Sequence, residues 1–418
     1  MSILIKNVFW ENDTVDVWIK DGRFQDIGRG LGCEAGEVID GTDKAILPSF
    51  FNCHTHAAMT LLRGYAEDME LYRWLSEYIW PLEGKLTERD VYVGSKLACL
   101  EMIKSGTTFF NDMYWHMPGT LQAVKEMGLR AGLSSVFIDL GDLGKAKKFR
   151  SRARRLAEDS ESCDGRVVFP LGPHAIYTVS KDSLAWVAEF AREQGMFVHI
   201  HLSETQKEVE DCLREHGKRP VEYLEEIGLL GPNVLAAHGI WVDDREISIL
   251  ADHGVTLVHC PASNRKLASG TFNYSAVQKK GIRVALGTDG CASNNNLDML
   301  EEMKFASMLA KSQDNDPTAM PAQEAFACAT ENGAAAFGIE AGKIEEGGLA
   351  DCILVDLRHP QMVPMHNLIS NMVYSGNGGC VDTTICNGRV LMNGRCVPGE
   401  AEVVDEARKT VTDLLGRR

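Results

Sequence analysis

The sequence predicts an α/β protein, a distorted (β/α)8 TIM barrel with a small β-sandwich domain built from both chain ends. Three observations carry that expectation. Eight strand-like runs end in polar residues, helical stretches separate them, and β character returns on both flanks of the alternating region. Strict alternation implies parallel strands joined by helical crossovers, and eight such units close into a barrel.

In chain order, residues 1–48 read as short β segments, with Asp21-Gly22 and Asp40-Gly41 as hairpin-type punctuation. Barrel strands are expected at 46–56 (ILPSFFNCHTH), 107–112, 130–139, 166–174, 197–203, 233–239, 255–260 and 282–289. Helices are expected between them at 88–105, 118–128, 145–160, 180–195, 205–216, 243–253 and 297–312. Beyond residue 340, ADCILVDL (350–357) reads as a strand and TTICNGRVLMNGRC (383–396) as a hairpin turning at Asn387-Gly388. Two isolated sheet fragments would each expose edges and an apolar face, so packing them together is the economical arrangement. The expected division is a β domain from 1–48 plus 345–400, a barrel over 49–344 and a C-terminal helix within 401–418.

Composition narrows the function classes. The 418 residues are 44% hydrophobic and 24% charged, as in an ordinary folded chain, which disfavours collagen, coiled coil and disorder. A net charge of −16 repels phosphate backbones and anionic lipid, so neither nucleic acid nor a membrane is an expected partner. No apolar run reaches the roughly 18 residues of a membrane span, and the start MSILIKNVFWENDTVDV lacks the plan of a secretory signal. The 12 cysteines are scattered without a C-x-x-C pair, which fits reduced thiols in a cytoplasmic protein.

The chemistry gathers where strands end. His54 and His56 close the first barrel strand, and a side-chain period of two turns both imidazoles to one side. Strand five ends in His199-Ile200-His201, strand six in His238 and strand eight in Asp289, all at the mouth where barrel enzymes place their sites. Three neutral imidazoles and a carboxylate suit zinc or another borderline divalent metal, provided an open position remains for water. His54, His56, His201 and Asp289 are the expected ligands, while His199, deeper on the same face, is read as a satisfied core histidine. Glu204, three residues past His201, is a proton-shuttle candidate, with a plain surface-loop glutamate as the alternative. His238 is open to two readings, a ligand of a second metal or a group that orients the attacking water. Strand four ends Leu171-Gly172-Pro173-His174 without a lysine to bridge two metals, which favours one divalent ion per chain, zinc before iron(II). Asp289 could then both ligate and take the first proton from water, leaving the rest to Glu204 and His238.

These residues stand in the segments PSFFNCHTHAAMTLLRG, WLSEYIWPLEGKLT, GPHAIYT, HIHLSET, AAHGIW, VHCPASN and GTDGCASNN, in that order over about residues 47–296. In them the chain resembles the 5-methylthioadenosine/S-adenosylhomocysteine deaminase family of the amidohydrolase superfamily. That family includes 5'-deoxyadenosine deaminases and has triazine hydrolases as relatives. The resemblance implies a zinc-dependent aminohydrolase that converts adenosine-type nucleosides to the inosine analogue and ammonia. Its substrates would be 5'-methylthioadenosine, 5'-deoxyadenosine, adenosine or S-adenosylhomocysteine, handled by a homo-oligomer. It implies metal binding by His54, His56, His201 and Asp289, proton transfer by Glu204, and contact of His238 with the reacting water or leaving amine. It also implies that Glu83 accepts hydrogen bonds from ribose hydroxyls, that His174 contacts substrate and that Ser293 lines the site.

One departure bears on substrate choice. Members that accept S-adenosylhomocysteine are expected to carry an arginine near the end of strand three, where this chain has Leu133-Ser134-Ser135-Val136. Neutral 5' groups are favoured accordingly. The run Lys145, Lys147, Lys148, Arg150, Arg152, Arg154, Arg155 could lend a replacement cation but reads better as a solvated helix face. Trp74, Trp80, Phe110, Tyr114 and Trp115 would either wall a purine pocket or pack long loops, and His259 reads as structural support. Two competing functions stay open, an aminohydrolase or chlorohydrolase of a free heterocycle (triazine, oxidised guanine or pterin) and a binding-only scaffold. A sugarless substrate leaves Glu83 without a partner, and a scaffold has no use for ligands kept in register.

Overall fold

The computed structural model describes residues 2–69, 71–159 and 165–417. Its centre is a barrel of parallel strands in sequence order: Phe50–Thr55, Thr107–Tyr114, Arg130–Phe137, Leu171–Pro173, Val198–Leu202, Val234–His238, Thr256–His259 and Val284–Leu286. The ring closes where Thr55 bridges Asp289 and the Asp289 amide donates to the His54 carbonyl at 2.9 Å. Strands such as Phe50–Thr55 and Val198–Leu202 are buried along their whole length, as expected when helices cover the outer face. Helix starts are marked in the sequence. Thr87 accepts from the Asp90 amide while the Asp90 carboxylate reaches back to the Thr87 amide, and Asp243 and Glu246 form the same reciprocal cap.

A second sheet joins both chain ends. Its order is Arg389–Met392, Val381–Cys386, Cys352–Asp356, Lys44–Pro48, Ser2–Trp10, Asp13–Lys20 and Arg23–Gly28, with Glu37–Asp40 also pairing with Ser2–Trp10. A buried ion pair ties this sheet to the barrel. Arg130, at the start of barrel strand three, bonds Asp351 at 2.6 Å and Asn387 at 2.7 Å. The terminal helix Glu400–Gly416 lies against Glu88–Ser105.

Several boundaries differ from the sequence reading, each for a physical reason. The expected strand 46–56 breaks at Ser49, whose hydroxyl meets Thr108, so that Lys44–Pro48 serves the small sheet and Phe50–Thr55 the barrel. Pro170, lacking an amide hydrogen, divides the expected strand 166–174 into Val167–Val168 and Leu171–Pro173. Asp21-Gly22 does turn a hairpin, but Asp40-Gly41 does not: Glu37–Asp40 runs parallel to Ser2–Trp10. Gly41 there comes so near the Lys6 carbonyl that a Cβ would sit 2.7 Å from its oxygen. Helices at Pro220–Ile227, Pro261–Lys266, Tyr274–Lys279, Ala322–Ala329 and Glu331–Ala336 escape the sequence reading because they are short and largely buried. Among the described residues no helix is long and apolar enough to cross a membrane, and eleven cysteines are free thiols.

Candidate active site

The strand ends of the barrel bring five of the expected side chains to one point. The candidate ligand atoms of His54, His56 and Asp289 lie within 4.8 Å of one another, as do those of His54, His201 and His238. Asp289 Oδ1 stands 3.1 Å from His56 Nε2 and 3.4 Å from His54 Nε2. Donors at about 2.0–2.1 Å from a tetrahedral ion would be spaced about 3.3–3.4 Å apart, which the spacings of Asp289 from His54 and His56 match, while His201 groups with His54 on the side towards His238. His54 Nε2 is buried with no hydrogen-bond partner in the protein, the state of an atom reserved for a ligand.

The far side of each ring is anchored. His56 Nδ1 donates to the Met113 carbonyl at 2.7 Å and His201 Nδ1 to the His174 carbonyl at 2.9 Å. A carbonyl can only accept, so both rings carry a proton on Nδ1 and turn Nε2 inward. His238 Nδ1 meets Asn264 Oδ1 at 2.8 Å, and His54 Nδ1 meets His199 Nε2 at 2.7 Å. Burial pushes the His54 pKa down to about 4 and holds His201 well below the usual range, which keeps both rings neutral. His56 goes the other way, to about 9, because the bond and charge of Asp289 outweigh burial. Burial pulls Asp289 upward in turn, but its two histidines hold it well below the carboxylate range. Its Oδ2 accepts from Ser263 at 2.6 Å and Ser293 at 3.1 Å.

Backbone geometry aims these groups. Ser203, His238 and Asp289 have φ values of 48°, 74° and 61°, a left-handed region that costs a non-glycine residue about 1–3 kcal/mol. The turn out of β geometry at each strand end directs the following chain over the mouth. A Cβ on Gly287 would sit 2.8 Å from His54, so only glycine lets strand eight approach strand one closely enough to place Asp289.

Glu204 stands half-buried beside this cluster, its Oε2 3.8 Å from His238 Nε2. Burial raises its pKa and His238 opposes the rise. Its loop is held by Glu208, whose carboxylate accepts from the amides of Ser203 and Glu204, each at 2.9 Å. Sequence reasoning misses Glu208, although the spacing Thr205-Gln206-Lys207-Glu208 is a capping-box signature. It misses Ser263 and Asn264 too. Both sit in the segment VHCPASN, but nothing in their spacing says that they reach Asp289 and His238.

A cavity of about 110 Å³ opens above the cluster. Glu83 lines it beside Tyr114 and Trp115, with its pKa raised by burial while Tyr114, His56 and Trp115 oppose the rise. His174, Ser293, Trp74 and Trp80 also line it, whereas Phe110 does not and is part of the barrel core. Burial takes the His174 pKa to about 3, so its ring is neutral, and Nδ1 pairs with the Thr178 hydroxyl at 2.9 Å. Strand three contributes Val136, and Ile138 follows it, while no lysine or arginine lines the cavity among the described residues. The lysines and arginines of 145–155 lie on the helix Leu143–Asp159 away from the cavity, with Arg150 and Arg154 over the Trp186 ring. His259 stacks on Phe272 at 4.4 Å, as structural support would. His199 is buried as expected but is not satisfied, since its Nδ1 has no partner.

A profile of the Amidohydrolase family matches residues 45–391. The chain is 50% identical to a 5'-deoxyadenosine deaminase of Methanoregula boonei over 100% of this chain and 96% of that one. It is 48% identical to 5-methylthioadenosine/S-adenosylhomocysteine deaminase 1 of Archaeoglobus fulgidus, over 95% of this chain and 94% of the relative. In structure it is similar to an adenosine deaminase from Xanthomonas campestris solved with bound zinc, with a TM-score of 0.93 and 32% identity over 100% and 98% of the two chains.

Proposed function

Because the chain belongs to the amidohydrolase family, we propose that it deaminates the adenine ring of adenosine-type nucleosides with one divalent metal, zinc, held by His54, His56, His201 and Asp289. The single observation that carries this reading is one cavity lined by inward-facing imidazole Nε2 atoms, by Glu204, and by half-buried Glu83 among aromatic rings. Zinc, when bound, supplies the Lewis acidity that makes water a nucleophile near neutral pH.

The chain's own residues do the rest. Asp289 takes the first proton from the attacking water, and His238, fixed by Asn264, orients that water towards C6 of the purine. Glu204, whose pKa burial raises, delivers a proton to ring N1 as the electron pair of the C6–N1 double bond moves onto nitrogen. It then takes the proton of the new C6 hydroxyl and passes it to the exocyclic nitrogen, and the proton held by Asp289 returns to Glu204 to complete the cycle. The C6–N bond breaks, ammonia leaves and the C6 carbonyl of the inosine analogue forms. Glu83 accepts hydrogen bonds from the ribose hydroxyls, His174 contacts the base, and Ser293 holds Asp289 in place.

A cavity carrying Glu83, Glu204 and Asp289, with no lysine or arginine in its lining among the described residues, favours a neutral 5' group over the charged tail of S-adenosylhomocysteine. The domain division 1–48 plus 345–400, 49–344 and 401–418 is part of the same proposal, and the free thiols support a cytoplasmic location. Ammonia release by zinc-loaded protein tests the reading, using 5'-deoxyadenosine, 5'-methylthioadenosine, adenosine, S-adenosylhomocysteine, guanine and a chlorotriazine. The nucleosides with neutral 5' groups should be turned over fastest. Turnover of guanine or the triazine alone would overturn it.

A further inference from the structure

Of the imidazoles around the cluster, His54 alone has another imidazole as its outer partner. His56 and His201 lean on backbone carbonyls, which fix their proton on Nδ1 whether or not a metal is bound. His54 Nδ1 instead meets His199 Nε2 at 2.7 Å, with the rings nearly perpendicular at 87° and both 0% exposed. A neutral imidazole nitrogen either donates or accepts, so this pair has two arrangements, each with one proton per ring.

In the first, His199 Nε2–H donates to His54 Nδ1, and His54 carries its own proton on Nε2, which faces Asp289 Oδ1 at 3.4 Å. That His54 has no lone pair for a metal. In the second, His54 Nδ1–H donates to His199 Nε2, the His199 proton sits on Nδ1, and the His54 Nε2 lone pair points into the cluster. All four ring nitrogens change protonation between the arrangements: the shared proton moves from His199 Nε2 to His54 Nδ1, while the two atoms without protein partners exchange with solvent, His54 Nε2 losing a proton as His199 Nδ1 gains one.

We propose that His199 is a positioning residue that sets the tautomer of His54, so that loading of the site converts the His54–His199 pair from the first arrangement to the second. The inference rests on the reading of His54 as a ligand. It assigns His199 no contact with substrate.

Two measurements test it on the whole protein. In 15N-histidine NMR, zinc-free protein should show His54 protonated on Nε2, and zinc-loaded protein should show His54 and His199 both protonated on Nδ1. In competition with a chromophoric chelator, His199→Phe should bind zinc about 10–100-fold more weakly, the usual effect of removing such an outer partner. His199→Gln keeps an acceptor and should recover most of that loss, which a merely space-filling role would not predict. Thermal melting of the zinc-free variants establishes that they fold, and if His199→Phe does not, the wild-type NMR result decides. Wild-type zinc affinity in folded His199→Phe, or a His54 tautomer unchanged by loading, overturns this inference alone. A wild-type chain that takes up no zinc overturns the reading of His54 as well.

Discussion

The two walls of the cavity are built on different principles. The metal-side wall comes from barrel strand ends, where His54, His201, His238 and Asp289 are 0–6% exposed and each ring has a fixed outer partner. The other wall comes from short helical turns after strand one, including the π turn Leu75–Ile79 and the helix Trp80–Glu83, and from Trp115 just past strand two, with Trp80 at 44% and Trp115 at 37% exposure. That wall is braced from outside rather than woven into the barrel. Arg417 bonds Asp90 at 2.8 Å and the Lys85 carbonyl at 2.9 Å, and Leu414 packs into the same apolar cluster as Trp74 and Leu82. In the proposed function the chemistry falls to the first wall and the choice among nucleosides to the second.

If the walls divide the work in this way, variants on them should separate cleanly. The largest effect is expected for His56→Ala, which removes a ligand and should abolish both zinc content and turnover, read by metal analysis and ammonia release. Glu204→Gln should keep its zinc and its substrate affinity while losing about 10²–10⁴-fold in kcat, the usual weight of general acid–base catalysis. Loss of zinc from Glu204→Gln would show that the glutamate belongs to the ligand set instead. On the other wall, Glu83→Ala should lose about 10–150-fold in kcat/KM for nucleosides, since hydrogen bonds to a charged group are worth about 1.5–3 kcal/mol. Its zinc content should not change, and a parallel fall in zinc content would blur the distinction between the walls. Val136→Arg places a cation where none lines the cavity and should raise S-adenosylhomocysteine relative to 5'-deoxyadenosine about tenfold, measured by paired kcat/KM values.

The smallest effect concerns the loop that carries Glu204. Burial raises the Glu208 pKa to about 7 from an ordinary 4.5. Between those values the folded protein keeps a proton that the unfolded chain has released, so stability falls as pH rises through the window. The slope cannot exceed about 1.4 kcal/mol per pH unit for one proton. Glu208→Gln should flatten this part of the melting-temperature profile, and an unchanged slope would assign it to other groups.

Legibility in the sequence follows the same division. The metal-side residues are legible because strand period and the end-of-strand rule together bring His54, His56, His201 and Asp289 to one mouth of the barrel. Their outer partners are not, since Ser263 and Asn264 reach Asp289 and His238 across a turn whose course depends on the helix Pro261–Lys266. Glu83 is legible only through family resemblance, because a glutamate at the end of a four-residue helix has no periodic signature. The alternation of strands and helices is legible throughout the barrel. The break at Ser49 is not, because ILPSFFNCHTH is apolar on both sides of the point where the chain leaves one sheet for the other.

The central claim is a single metal working with Glu204 across from Glu83, and stepwise reconstitution tests it most directly. Zinc is removed with a chelator and returned in known equivalents while 5'-deoxyadenosine deamination is followed. Turnover should rise linearly and level off at one zinc per chain, with His56→Ala flat throughout and Glu204→Gln binding the same one equivalent without comparable turnover. Full activity in the metal-free chain, or a plateau reached only at two equivalents, would contradict the account.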